Sequence, residues 1–308
     1  PLLRPSFYCS RLLSMSSSKS IAATALTVSS VAQTQAPSVL IDNARLNACL
    51  GEARHRFSIT ALAECPSTST LLLACSAQGA PSGSVIVCDR QTAGRGSRGR
   101  RWSASPQASL TFSLLWHFTC EQAQLSGLSL GVGLAVVRAL DDCGARGAML
   151  KWPNDVLYHD AKLAGILIEL CGDPAQAQAV IGIGLNLLPP DADKTGKPDS
   201  GAEAFMMPAT SVDAMVSPVP ERNLLLAAIL KALAAMLDRF AQTGFAGLRD
   251  EWLARHAWQT RPVRVLRDGR VVAEGLCCGV DVDGTLLVQT PAGVIRCLSG
   301  DVSLRAAS

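Results

Sequence analysis

The chain has 308 residues, of which 48 % are apolar and 17 % are charged, so we expect one large domain, or a large and a small one, with a substantial core. No segment has as many as roughly eighteen uncharged apolar residues in a row, which predicts a soluble globular protein and argues against a membrane protein. The net charge is +3, and three basic residues before the first acid, Asp42, account for it, so the charge gives no indication of a basic, nucleic-acid-binding surface over the chain as a whole.

The first forty residues are rich in Ser, Ala and Thr and contain no acid. We predict a disordered or leader segment over 1–40, and favour a disordered leader, or a true start at Met15, over an organellar transit peptide. The eleven cysteines are an odd count without a C-x-x-C pair, which indicates a reducing compartment and neither a disulfide framework nor a zinc site. The expected location is therefore the cytoplasm, with an organelle as the alternative.

Periodicity predicts helices over 41–54 and 69–77, and then a buried strand over 84–89. The strand leads into QTAGRGSRGRRW (91–102), called the arginine loop below, whose glycines fit the dinucleotide fingerprint G-x-G-x-x-G. That interpretation is rejected because SPQASLTFSLLW (105–116) predicts a turn and a strand where a dinucleotide fold requires a helix. The sequence also lacks the H-R-D and D-F-G motifs of kinases and any G-x-x-x-x-G-K-[ST] loop.

Three more helices and three more strands are predicted before residue 257. Helices are predicted over 125–140, 221–240 and 245–256, and strands over 148–152, 163–170 and 179–188. The segment 189–220, rich in Pro, Asp and Gly, is predicted to be a mobile surface loop. After Gln259, short alternating strands separated by Gly-containing turns predict a small β-barrel appended to the main domain.

Three separate segments are polar where a core would require apolar residues: PSTS (66–69), the arginine loop, and KWPND (151–155). Glycines let backbone N–H groups turn toward a phosphate, and guanidinium groups add bidentate donors. The arginine loop is therefore predicted to hold an anion that approaches the main chain closely. A solvated linker or a nonspecific RNA contact is the alternative.

Two side chains near KWPND are candidates for chemistry. Asp155 follows a proline bend and could place a magnesium ion or receive a proton, although an Asn-Asp pair after proline is also ordinary turn chemistry. Lys162 could stabilise a pentavalent phosphate in a low dielectric, or simply be solvated. The four histidines show no metal-ligand spacing, so no metal site with protein ligands is predicted.

The motifs QTAGRGSRGRRW, KWPNDVLYHDAKLAGILIEL and VIGIGLNL, in this order and spacing, resemble those of the biotin protein ligases. The similarity is strong over 60–190 and looser over the terminal strands. It implies an α+β fold with a mixed β-sheet flanked by helices, similar to the class II aminoacyl-tRNA synthetases and lipoate ligases. The implied domains are a catalytic domain over 41–258 and a small C-terminal SH3-like β-barrel over 259–308.

The resemblance implies a two-step reaction with ATP, Mg²⁺ and biotin. The biotin carboxylate attacks the α-phosphate of MgATP to give biotinyl-5'-AMP, and a lysine of the biotin carboxyl carrier protein of acetyl-CoA carboxylase then attacks the mixed anhydride. Some relatives carry an N-terminal winged helix-turn-helix, but the segment before Asp42 is too short and too rich in serine for one. We therefore expect a monofunctional ligase, a monomer or weak homodimer, that binds neither DNA nor membranes.

Carried over by position, the resemblance implies Lys162, Arg95 and Asp155 as catalytic residues. The residues implied to bind biotin or biotinyl-5'-AMP are Ser67, Thr68, Ser69, Gln91, Gly94, Arg95, Gly96, Ser97, Trp102, Lys162, Gly165 and Asn186. Two of them depart from the family pattern. Asn is common where Ser69 stands, and Arg or Lys is frequent in place of Ser97.

Two other functions remain open from the sequence. One is a lipoate or other acyl ligase or transferase, since that domain is related. The other is a nucleic-acid-binding module that places the guanidinium groups of Arg95, Arg98, Arg100 and Arg101 on phosphates. Such a module predicts salt-sensitive affinity that is indifferent to biotin and ATP.

Overall fold

The computed structural model describes residues 35–103, 105–189, 207–267, 269–299 and 302–306. Within these ranges the chain forms two β-sheets and five α-helices. The helices are α1 (Asn43–Leu50), α2 (Thr68–Ser76), α3 (Leu128–Asp142), α4 (Arg222–Thr243) and α5 (Arg249–Ala254). Short 3-10 helices span Gly51–Arg56, Ser97–Gly99, Gln122–Leu125, Val212–Ala214 and Phe245–Leu248. None of the helices in the described ranges is long and apolar enough to cross a membrane.

The first sheet has seven strands in the order β1-β2-β3-β7-β6-β5-β4. Its strands are β1 (Ser58–Cys65), β2 (Ser84–Gln91), β3 (Ser109–His117), β4 (Met149–Lys151), β5 (Asp155–Tyr158), β6 (Ala161–Asp173) and β7 (Gln176–Asn186). The pair β1 and β2 is parallel and every other neighbouring pair is antiparallel, so the sheet is mixed.

Helices cover both faces of this sheet, which is why β7 is buried on both sides. Successive side chains of a strand point to opposite faces. Ile181 belongs to the large core with α3 and α4, whereas its neighbour Val180 belongs to a smaller core under α2. The close fit of α3 against the sheet depends on a small residue, because a Cβ atom on Gly133 would lie 2.9 Å from Leu150.

The second sheet is antiparallel, in the order β11-β10-β9-β8-β12. Its strands are β8 (Pro262–Arg267), β9 (Arg270–Val280), β10 (Leu286–Thr290), β11 (Gly293–Cys297) and β12 (Val302–Ala306). The turn after β4 contacts the turn between β9 and β10, where the indole N–H of Trp152 donates to the carbonyl of Gly284 at 3.0 Å. Gly284 has a φ of +81° and packs closely on Gly127, since a Cβ atom added to Gly284 would lie 2.7 Å from the Cα of Gly127. The predicted α+β fold, with a mixed sheet flanked by helices and a C-terminal antiparallel β domain, is confirmed.

Two sequence-based predictions were wrong in part. The loop prediction for 189–220 covers 190–206, which lie outside the described residues, but residues 207–220 are not simply a surface loop. There Ser211 and Val212 are buried, and the backbone N–H of Asp213 donates to the carbonyl of Leu187 at 3.1 Å. The single helix predicted over 245–256 is a 3-10 turn followed by the short helix α5.

Candidate active site

Four of the predicted binding residues, Ser67, Thr68, Ser69 and Gln91, meet where α2 begins and β2 ends. Because β1 and β2 run parallel, Cys65 lies opposite Gln91, and the helix that follows β1 starts beside that side chain. Ser67 caps α2, and the backbone N–H of Thr68 donates to Oε1 of Gln91 at 2.7 Å. Ser67 and Thr68 are each only 2 % exposed. These polar side chains thus form part of a buried wall.

A third strand extends this wall with a residue that the sequence analysis missed. Ser113 lies on β3, is fully buried, and is 2.8 Å from Oγ1 of Thr68 and 3.0 Å from Oγ of Ser69. We call Thr68, Ser69 and Ser113 the hydroxyl cluster. An isolated serine within the apolar run TFSLLW was the available sequence signal.

Three glycines on β6 and β7 form a floor without side chains. Gly165 pairs with Gly184 in the strand register, and Gly182 lies on the same face two residues earlier. A Cβ atom on Gly184 would lie 2.2 Å from the indole of Trp102, and one on Gly182 would lie 2.6 Å from Oγ of Ser69. We call these residues the glycine floor. Close approach, rather than backbone conformation, is what requires glycine there.

The arginine loop folds back over this face of the sheet. The N–H of Trp102 donates to the carbonyl of Gly94 at 3.0 Å, and a Cβ atom on Gly94 would lie 2.9 Å from Nε2 of Gln91. Arg95 forms an ion pair with Glu169 of β6, with Nη2 and Oε1 2.8 Å apart. Glu169 was not predicted, although an acid within the apolar strand LAGILIEL is a detectable anomaly. The ion pair ties the loop to the sheet.

Within the loop, several polar groups satisfy each other. The N–H of Gly96 donates to the carbonyl of Arg100 at 2.7 Å, and Nη2 of Arg100 donates to Oγ of Ser97 at 3.0 Å. Arg98 and Gly99 follow each other with φ values of 60° and 69°, which produces the tight turn. In this arrangement the Ser97 hydroxyl supports the loop itself.

A carboxylate that pairs with two lysines lies beside the glycine floor. Asn154 ends the turn that follows β4, as the ordinary-turn alternative has it, whereas Asp155 is a strand residue that starts β5 opposite Lys151. Its Oδ2 is 3.2 Å from Nζ of Lys151, and its Oδ1 is 2.5 Å from Nζ of Lys162. Burial disfavours the charged carboxylate, but the two ammonium groups outweigh burial and lower the pKa of Asp155 to about 2. The carboxylate is therefore ionised at neutral pH.

Lys151 is the more deeply buried of the two lysines. It is 3 % exposed, and its Nζ lies 4.9 Å from the ring centroid of Trp258. Burial lowers the pKa of Lys151 to about 8, against the opposing effect of Asp155. The Lys162 ammonium, in contrast, borders the glycine floor, since a Cβ atom on Gly165 would lie 3.2 Å from its Nζ. Lys162 is thus the lysine placed to meet a ligand.

The backbone around Lys162 is held by a segment distant in sequence. Its N–H donates to the carbonyl of Pro208 at 2.7 Å, and its carbonyl accepts from the N–H of Thr210 at 2.9 Å. The side-chain amide of Asn186 donates to the carbonyls of Thr210 (3.0 Å) and Lys162 (3.4 Å). Asn186 therefore lies beside Lys162, and its amide group braces the backbone there.

The C-terminal sheet adds a cation that the sequence analysis missed. Arg305 on β12 is partly buried, and burial and then the charge of Arg100 lower the pKa of its guanidinium, while Asp155 raises it. The charges of Arg100 in the arginine loop and of Asp155 therefore both act on the Arg305 side chain. No local sequence signal identifies it, because only the packing of the two sheets brings it there.

We predict that acid destabilises the protein through His256, which follows α5. Burial, above all, lowers the pKa of this imidazole from 6.5 to about 4. Since the unfolded chain binds the proton at a higher pH than the folded one, the free energy of unfolding falls as pH drops from 6.5 to about 4, by about 3 kcal/mol at 1.36 kcal/mol per pKa unit. Urea unfolding at pH 7 and pH 4.5 measures this. His256→Phe should retain packing on Trp252 and lose this part of the pH dependence; an unchanged dependence contradicts the assignment.

The fold and the site together define a class of protein, a ligase domain of the biotin/lipoate type. The model of the Biotin/lipoate A/B protein ligase family matches residues 62–186, and that of the Biotin protein ligase C terminal domain matches residues 261–305. The biotin--[acetyl-CoA-carboxylase] ligase of Paracoccus denitrificans is 38 % identical over 220 residues, which cover 69 % of this chain and 87 % of that protein. The chain therefore belongs to the biotin protein ligase family.

Another curated relative and a solved structure point to the same family. The bifunctional ligase/repressor BirA of Escherichia coli (strain K12) is 33 % identical over 227 residues, covering 73 % of this chain and 68 % of that protein. Among solved structures, the biotin protein ligase from Aquifex aeolicus in complex with biotin and ATP superposes with a TM-score of 0.66 at 27 % identity. That match covers 82 % of this chain and 99 % of that one.

Proposed function

We propose that this chain is an ATP-dependent ligase that activates biotin as biotinyl-5'-AMP and transfers it to a lysine of the biotin carboxyl carrier protein of acetyl-CoA carboxylase. The proposal rests on three surfaces that lie side by side beneath the arginine loop: the buried polar wall with its hydroxyl cluster, the glycine floor, and the end at Lys162. A neutral polar wall, a flat glycine floor and a cationic end follow one another. Biotin presents a ureido ring, an apolar chain and a carboxylate in the same order.

The chemistry requires a site that stabilises phosphate charge and excludes water. In the first step a carboxylate oxygen of biotin bonds to the α-phosphorus of ATP, and the bond from that phosphorus to the pyrophosphate leaving group breaks. In the second step the carrier amine bonds to the acyl carbon, AMP leaves, and the amine loses a proton. The anhydride formed in between is labile in water, so a loop that closes over it protects it.

We assign the charged residues to these steps as follows. Lys162 stabilises the charge that develops on the transferring phosphoryl group. Asp155 holds the ammonium group of Lys162 in place through their ion pair. When biotin binds, Arg95 leaves its ion pair with Glu169 and binds the carboxylate end of biotin instead.

Magnesium is proposed to arrive with ATP. No group of three or more His, Cys, Asp or Glu side chains within the described ranges is arranged to hold a metal ion, and both oxygens of Asp155 already face ammonium groups. Mg²⁺ commonly keeps several waters and binds through substrate phosphates. The triphosphate would therefore supply its ligands here.

The decisive test is incubation of the protein with biotin, MgATP and a biotin carboxyl carrier domain, followed by intact mass measurement of the carrier. We expect a mass increase of one biotinyl group that requires ATP. Lipoate in place of biotin tests the second candidate, since the matching family model also covers lipoate ligases. Modification by lipoate alone would overturn the proposal, and so would no modification by either acid.

We predict that Arg95→Ala weakens biotin binding by about tenfold, because a charge-assisted hydrogen bond contributes on the order of 1.5 kcal/mol or more. Isothermal titration calorimetry with biotin, with and without a non-hydrolysable ATP analogue, measures this. Arg45→Ala is the matched control. Arg45 also forms an exposed ion pair, with its Nε 2.9 Å from Oε2 of Glu221, and it is not among the residues of the site. Equal affinities of the Arg95 variant and the wild type would contradict the contact.

We further propose a monofunctional ligase, monomeric or weakly dimeric, that does not bind DNA and acts in the cytoplasm. The match over most of the Paracoccus relative, which is named only as a ligase, supports the first point. We retain 41–258 as the catalytic domain and 259–308 as the C-terminal domain. Size-exclusion chromatography with light scattering and a gel-shift assay test assembly and DNA binding.

A further inference from the structure

The hydrogen atoms of the hydroxyl cluster can be assigned from geometry. The backbone N–H of Thr68 donates to Oε1 of Gln91 at 2.7 Å, which establishes that the oxygen of this amide faces Thr68. Oγ1 of Thr68 lies 3.2 Å from the same oxygen. This separation and geometry are those of a hydrogen bond, and Thr68 alone can supply the hydrogen because the amide oxygen is only an acceptor. The Thr68 hydroxyl therefore donates to Gln91.

The direction of the remaining hydrogen bonds follows. A hydroxyl has one hydrogen, so Thr68 must accept from Ser113, their oxygens being 2.8 Å apart. Ser113 has then used its hydrogen and must accept from Ser69 at 3.0 Å. Donation runs from Ser69 through Ser113 and Thr68 to Gln91. Each hydroxyl hydrogen is used inside the protein, and only lone pairs remain for a ligand.

The position of Ser69 directs these lone pairs toward the glycine floor. Ser69 is 5 % exposed, and a Cβ atom on Gly182 would lie 2.6 Å from its Oγ. Ser113 is fully buried behind it and reaches both neighbouring hydroxyls. Without the Ser113 hydroxyl, Ser69 would lose its acceptor and Thr68 its donor, so the hydroxyl of Ser69 would be free to turn and donate.

We propose that Ser113 is a positioning residue that sets the polarity of the hydroxyl cluster, so that the hydroxyls of Thr68 and Ser69 accept N–H groups and reject ring oxygens. This inference rests on the proposed function, because it explains how a ureido ring, with two N–H donors, is selected. Rejection is strong when a buried acceptor is left facing another acceptor. Ser113 acts through Thr68 and Ser69 and need not touch the substrate.

The test compares biotin with two cyclic carbamate analogues, in each of which one ring N–H is replaced by oxygen. Biotin-dependent ATP–pyrophosphate exchange gives kcat and KM for each acid. In Ser113→Ala we expect KM for biotin to rise about tenfold with kcat nearly unchanged, and preference for biotin over at least one analogue to fall about tenfold. Ser113→Thr, which keeps the hydroxyl, should restore the wild-type preference.

Two further variants separate polarity from packing. Ser113→Cys has a similar shape and a weak donor, and should resemble the alanine variant. Ser84→Ala is the matched control, because Ser84 is an equally buried strand serine whose hydroxyl donates to the carbonyl of Pro81 at 2.7 Å. It should leave the preference unchanged.

An unchanged preference in both Ser113→Ala and Ser113→Cys overturns the inference, as does an equal loss of activity toward biotin and the analogues. Failure of the threonine variant to restore the preference also counts against it. If the wild-type protein activates no biotin at all, the proposed function fails instead, and the two failures are thus distinguishable.

Discussion

Lys162→Ala is expected to lower the rate of biotinyl-5'-AMP formation by about 10²–10³-fold, the usual cost of removing one preorganised donor from a charge-stabilising site. The ammonium group of Lys162 borders the glycine floor and is held by Asp155 at 2.5 Å, so no other lysine is equally placed among the described residues. Biotin-dependent ATP–pyrophosphate exchange measures the first step alone.

A supplied adenylate separates the two steps of the reaction. When biotinyl-5'-AMP and carrier are added directly, we expect the Lys162 variant to transfer biotin at a rate much closer to that of the wild type. Lys231→Ala is the control, because Lys231 is an exposed lysine whose Nζ donates to the carbonyl of Cys49 at 3.2 Å. Full exchange activity in Lys162→Ala would reject the assigned role, and equal loss in both assays would move the role away from activation.

Asp155→Asn is expected to destabilise the protein by about 3 kcal/mol, in the range typical of breaking a buried ion pair. The change leaves the ammonium of Lys151, 3 % exposed, without its counter-charge. The pKa of Lys151, about 8 in the wild type, should fall further. Because the unfolded chain keeps this proton up to the ordinary pKa of 10.5, the free energy of unfolding of the variant should rise from pH 7 to pH 9.

Urea unfolding of three variants tests this account. Adding Lys151→Met to Asp155→Asn should recover much of the stability, since the unpaired charge is then absent. Asp238→Asn serves as control, because Asp238 pairs with Arg56 at 2.7 Å on the surface, where such pairs contribute about 1 kcal/mol or less. If Asp155→Asn unfolds like the wild type, or if adding Lys151→Met recovers no stability, the ion pair of Asp155 with Lys151 does not have the assigned energetic role.

Local sequence patterns anticipated the elements that carry the site. Apolar alternation and turn residues predicted the strands on either side of the arginine loop, because a half-buried or buried strand must bury side chains at a fixed period. Charge density and glycine content identified the loop itself. The segment KWPND was recognised as polar, but its hairpin was not, since the pairing of Asp155 with Lys151 depends on how the chain turns back.

The sequence alone determined the chemical types present: a glycine-rich cationic loop, a short run of hydroxyl residues, and a lysine before an apolar strand. These depend on neighbouring residues, so they can be read along the chain. The tertiary structure alone decided which groups meet. Ser113 contacts Thr68, Glu169 pairs with Arg95, and the charge of Asp155 acts on Arg305, because strands far apart in sequence become neighbours. Burial then determines how strongly these dipoles and charges act.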